Sequence, residues 1–265
     1  MILVEGGDKV YYKNPGIDNE IEFAESFNNK RFCDLNILQQ DFIEDLFGKV
    51  KKLSYIRAWK CKYNFKTDIY IKIDDIVKRV SIKKGINNSI HTEPISEFIH
   101  FLIENNINEK LIEKYLKYHY ADGTTNGSGK KRLSGLEYKK EHQADLDEIN
   151  VAINTNDLLN KIVDRFILKG TNAYLAIDVL VYGDAQNFIW LKSDEIKEII
   201  KSKINYYSTG IHFGPLFCQP KDRCLNYNPK YNKDRFLIQI KWYSIFDDYI
   251  EYKNTKCMED AQYIE

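Results

Sequence analysis

The chain has 265 residues, 43% of them hydrophobic and 29% charged, which suits one large soluble domain or a core carrying a substantial insertion. Its 39 Lys+Arg balance its 39 Asp+Glu, which excludes a global positive field and leaves nucleic-acid binding only to a local patch. No run of about 18 apolar residues and no secretory leader is evident, and the five scattered cysteines form no CxxC pair, so the expectation is a cytoplasmic protein with no membrane partner.

In chain order, Asp18 is placed to cap a helix through NEIEFAESFNN, and DFIEDLFGKVKKL reads as a second short helix. Three strands follow in LSYIRAWKCKYNF, TDIYIKI and VKRVSIKK, rich in Ile, Val and Tyr, with Asp74-Asp75 turning the last two into a hairpin. ISEFIHFLIENN is an amphipathic helix with Ile95, Phe98, Ile99 and Leu102 on one face, and NEKLIEKYLKYHY is another. The loop YADGTTNGSGKKRLSG is the one clear break, rich in Gly, Ser, Thr and Asn with a basic end. Beyond it come a long helical stretch, strands in NAYLAIDVLVYG and NFIWLKS, and a helix that Ser193 caps. An irregular segment then leads to a late strand, FLIQIKWYS. The sum is a mixed α/β protein, with a core over 1–120 and a region over 121–265 that elaborates it and completes its sheet.

The hairpin carries the chemistry of interest. Hydrolysis of a phosphodiester with Mg²⁺ needs hard oxygen ligands and a cation beside the attacking water. Asp68 and Lys83 stand on adjacent predicted strands. Alternation puts Ser81 and Lys83 on one face, while Ile82 points the other way and offers its carbonyl. Glu20 falls amid the Phe23, Ala24 and Phe27 face of the first helix, where a carboxylate needs a partner. Two plainer readings stay open: the hairpin charges protect a strand edge, and Glu20 is a solvated acid favouring its helix dipole. No Walker A, GxGxxG, HExxH or GxSxG motif competes.

Asp68, twelve intervening residues and Ser81-Ile82-Lys83, preceded by a helix bearing Glu20, resemble the PD-(D/E)xK nuclease superfamily, type II restriction endonucleases in particular. The resemblance covers roughly residues 16–104. It implies a restriction-endonuclease-like core, a mixed central sheet flanked by helices, and Mg²⁺-dependent endonuclease activity on double-stranded DNA by a homodimer. Within it Asp68 and Glu20 would ligate the metal with the Ile82 carbonyl, Lys83 would position the water, and Ser81 would line the catalytic site. The superfamily has an acid where Ser81 stands, and Glu97 or Glu93 is the candidate replacement. Lys130, Lys131 and Arg132 are the expected DNA contacts, the loop glycines letting main-chain N–H groups approach phosphates. A structure-specific or repair nuclease, or a catalytically silent nucleic-acid-binding module, is the alternative.

Overall fold

The computed structural model describes residues 15–85, 89–129, 131–171, 175–204, 210–221 and 233–262. Its elements in chain order are α1 (Pro15–Phe27), β1 (Lys30–Arg31), α2 (Ile37–Phe47), β2 (Tyr55–Lys60), β3 (Ile69–Ile73), β4 (Ile76–Lys83) and β5 (Ser89–Pro94). Then come α3 (Ile95–Glu104), α4 (Glu109–Tyr120), α5 (Gly135–Ile153), α6 (Asn156–Val163), β6 (Val179–Gly183), β7 (Phe188–Lys192) and α7 (Ser193–Ser202). β8 (Ile211–Phe213), β9 (Leu216–Pro220), β10 (Leu237–Lys241) and α8 (Ile245–Gln262) complete the described chain. The architecture is α/β, and it resolves into two compact units: 1–85 with 168–193, and 86–167 with 194–265.

The first unit is built on a six-stranded sheet in the order β1-β2-β3-β4-β6-β7. All neighbours are antiparallel except β4 and β6, which run parallel. A mixed sheet of this kind needs a long crossover between its parallel strands. Here the segment between β4 and β6 contains about half of the second unit, so the first unit is discontinuous in sequence.

Helices α1 and α2 cover one face of that sheet. Phe23, Phe27 and Phe42 pack against Ile56, Ile71 and Val181, all fully buried. Phe42 meets Phe188 edge to face at 5.4 Å between ring centres, a geometry that favours aromatic pairs beyond the area they bury. The helix ends follow local chemistry. Pro15 opens α1, where its missing N–H costs nothing, and Asp18 lies in the first turn instead of capping it. Asn36 and Gln39 form a reciprocal capping box at α2, and Gly48 ends that helix at φ +80°. Asp74 takes φ +50° in the β3–β4 turn, a conformation Asp tolerates better than most residues.

The second unit holds an antiparallel sheet, β5-β10-β9-β8, and most of the helices. Phe98, Phe166 and Phe213 are fully buried beside it, and Trp242, also sealed, donates its indole N–H to Asp248 Oδ2 at 2.6 Å. Two strands of this sheet, β8 and β9, occupy the segment expected to be irregular. Ser193 does not cap α7 with its side chain: its hydroxyl donates to Ile177 O at 2.8 Å. No helix among the described residues is long and apolar enough to cross a membrane.

Candidate active site

The site forms where β3 and β4 lie side by side. Asp68 stands one residue before β3, yet its main chain already belongs to the sheet. Its N–H donates to Val80 O (2.9 Å), and its carbonyl accepts from Cys61 N–H (2.8 Å). Alternation then sets the side-chain directions. Ile69, Ile71, Val80 and Ile82 turn into the helix-covered core. Asp68, Ser81 and Lys83 therefore project from the opposite face.

Asp68 Oδ2 is the meeting point. It accepts the Ser81 hydroxyl at 2.9 Å and the Ile82 N–H at 2.6 Å, and the Lys83 ammonium lies 3.6 Å away. Asp68 Oδ1 has no hydrogen-bond partner among the described residues. In an extended strand a residue's carbonyl points to the same edge as its N–H, so the Ile82 carbonyl also lies on the Asp68 edge. On the other side of β4 the parallel register is fastened by Asp178. Its carboxylate accepts the Arg79 N–H at 2.7 Å, and its own N–H returns to Arg79 O at 2.8 Å. Tyr182, in register with Lys83, donates its hydroxyl to Gly85 O at 3.1 Å and ties down the end of the lysine strand.

Glu20 comes from α1 and is ion-paired with Lys60 at the end of β2. A lysine, not a shared metal site, is the partner the structure gives this carboxylate. Lys60 continues the inward series Ile56, Ala58, so a cation facing α1 was legible in the β2 alternation. Asp178 carried no such signal, because its role depends on a parallel pairing between distant segments.

The expected substitutes for the acid at Ser81 have other engagements. Glu93 is a buried β5 residue whose carboxylate receives Arg165 Nε at 3.1 Å and lies 2.9 Å from His91 Nε2. Its neighbour His91 is likewise a strand residue. Glu97 is exposed in the first turn of α3. Of the expected DNA contacts, Lys130 lies outside the described residues and Lys131 is exposed. Arg132 donates from Nε (3.2 Å) and Nη2 (3.0 Å) to His119 O, so it anchors the loop to the end of α4.

Among the described residues, no group of three or more His, Cys, Asp or Glu side chains is placed to hold a metal ion. The donor set nonetheless fits a single-carboxylate Mg²⁺ site. Asp68 Oδ1 and the Ile82 carbonyl are hard oxygens, and Mg²⁺ commonly completes its octahedron with waters and substrate phosphate oxygens. Beside the site, Tyr70 stacks on Trp59 across β2 and β3, with ring centres 5.5 Å apart. A hydrogen bond from Cys61 and partial burial raise the Tyr70 phenol above its ordinary pKa.

Neither a protein-family model nor a curated protein sequence matches the chain.

Proposed function

We propose that this protein is a metal-dependent endodeoxyribonuclease that hydrolyses phosphodiester bonds of duplex DNA. The observation that carries the reading is the convergence of the Ser81 hydroxyl, the Ile82 N–H and the Lys83 ammonium on the Asp68 carboxylate, at the ends of two adjacent strands. Asp68 Oδ1 and the Ile82 carbonyl are the groups that would hold Mg²⁺, whose contribution when bound is to polarise the scissile phosphate and acidify a water. Ser81 and the Ile82 N–H fix the carboxylate so that its second oxygen stays directed away from them. Lys83 keeps a positive charge beside the attacked phosphate, where it orients the incoming water and balances the charge gained by the five-coordinate phosphorus. Water adds to phosphorus and gives up a proton to solvent, the bond to the leaving oxygen breaks, and solvent returns a proton to that oxygen.

Within this class the motif order supports a type II restriction endonuclease with a restriction-endonuclease-like core, acting in the cytoplasm. Cutting both strands of a palindromic site calls for a homodimer. Ser81, standing where an acid would strengthen the metal site, favours a second reading, a catalytically silent nucleic-acid-binding module. Incubating the protein with supercoiled plasmid and Mg²⁺ decides between them. Discrete linear fragments are expected for the restriction enzyme, nicks confined to extruded or branched structures indicate a structure-specific nuclease, and intact plasmid at all protein concentrations refutes the nuclease reading.

A further inference from the structure

The face of the first sheet that carries Asp68 also carries an aromatic and cationic surface that hydrolysis does not use. Cross-strand register arranges it in rows. Arg57 pairs with Lys72, Trp59 with Tyr70, and the next residues outward on the same face are Cys61 and Asp68, joined through the main chain. Successive rows on one face of a sheet are about 7 Å apart. The Trp59–Tyr70 stack is thus the immediate neighbour of the Asp68 row, with the Arg57–Lys72 row behind it.

Arg57 and Trp59 are open to solvent, and Tyr70 and Lys72 are half-buried. Trp59 is 42% exposed, whereas Trp242 is fully buried and Trp190 packs on the helix-covered core. The connection between β2 and β3 adds Tyr63 and Phe65, 71% and 45% exposed, with ring centres 5.4 Å apart. Packing gives no reason to leave Trp59, Tyr63 and Phe65 exposed within one short segment. The charge is equally one-sided. On this face β2 and β3 present Arg57 and Lys72 and no acid, Asp68 standing one residue before β3, in a chain whose formal net charge is zero.

We infer that this face is a binding platform for an unpaired nucleic-acid strand, which it leads to the Asp68–Lys83 site. An apolar protein partner would leave the cations without counterparts, whereas a strand supplies phosphates for Arg57 and Lys72 and base faces for Trp59. Duplex bases hide those faces in their own stack, so only an unpaired segment can use the ring. The direction of the strand rests on the nuclease reading; the binding itself does not. Frayed ends, flaps and melted stretches of a duplex are the places that would offer such a segment.

The test uses the full chain and a short fluorescein-labelled oligothymidylate, with EDTA present so that cleavage does not interfere. The expected result is salt-dependent binding with quenching of tryptophan fluorescence. Trp59→Ala weakens it about five- to a hundredfold, and Trp59→Phe largely restores it. Arg57→Ala with Lys72→Ala reduces the salt slope, and this pair keeps the test decisive should Trp59→Ala melt at a lower temperature than the wild type. Binding of a blunt duplex of equal length is unaffected by Trp59→Ala. Wild-type affinity for oligothymidylate in both the Trp59→Ala and the Arg57→Ala, Lys72→Ala variants overturns the proposal, as does absence of binding by the wild type. Plasmid cleavage with Mg²⁺ then separates the two ideas: Trp59-dependent binding without any cleavage refutes the nuclease alone, and cleavage without that binding refutes the platform alone.

Discussion

Replacing Asp68 by alanine and by asparagine separates two roles that the structure gives one carboxylate. In Asp68→Ala the Ser81 hydroxyl and the Ile82 N–H both lose their acceptor. These residues are 1% and 4% exposed, so water cannot readily replace it. A buried donor left unsatisfied costs about 1–3 kcal/mol, which gives a loss of about 2–6 kcal/mol for the pair. The Lys83 pair, at 3.6 Å and partly exposed, adds at most about 1 kcal/mol. For a chain of this size the melting temperature falls on the order of 10 °C. Asp68→Asn keeps an oxygen that both donors can reach and loses only the reinforcement of the charge, about 1 kcal/mol. Both variants lose the anionic ligand, so Mg²⁺-dependent cleavage drops at least about a hundredfold in each. Circular-dichroism melts and plasmid-cleavage rates on the two proteins read these effects apart. A wild-type melting temperature for Asp68→Ala would show that the carboxylate does not hold the two strands, and wild-type cleavage by Asp68→Asn would remove it from the active site.

Lys83→Met is expected to cut cleavage about a hundredfold while changing unfolding free energy by less than about 1 kcal/mol, because its ion pair is partly solvated; a comparable loss of stability in urea titrations would point to a structural lysine. Ser81→Glu restores a second carboxylate next to Asp68 and should tighten Mg²⁺ binding in calorimetric titrations, at a stability cost from placing an acid where the serine is 1% exposed. Glu20→Gln weakens Mg²⁺ binding more than Glu22→Gln if Glu20 can leave Lys60 for the metal, and equal titrations for the two variants would confine Glu20 to its ion pair. Burial lowers the His119 imidazole to about 4, and that residue is 1% exposed. The unfolded chain therefore takes up this proton first as pH falls. Stability is full above about pH 6.5 and declines by about 3 kcal/mol towards pH 4. His212, also lowered to about 4 by burial, adds to the same limb. His119→Asn should flatten the dependence between pH 7 and pH 5 in urea unfolding, and an unchanged slope would exclude His119 as its source.

The β3–β4 hairpin and the candidate residues on it were legible in the sequence because each signal is local. Alternating Ile, Val and Tyr define the strands, Asp74-Asp75 turns them, and alternation alone puts Ser81 and Lys83 on one face. The helices α1 and α3 were legible for the same reason, with their apolar residues spaced at helical intervals. Lys60, by contrast, continues the inward series of β2, but nothing local says that it meets Glu20 from a helix some forty residues earlier. The parallel partnership of β4 with β6 was beyond the sequence altogether, since it joins Val80 to Val179 and is fastened by Asp178 on Arg79. The same holds for the four-stranded sheet, in which β5 pairs with β10 across most of the second unit and the three-residue β8 finds its register only against β9. Residue type and spacing specify what a segment can become through contacts a few residues apart. Which segments meet is settled only when burial of apolar faces and pairing of main-chain hydrogen bonds are satisfied at once over the whole chain.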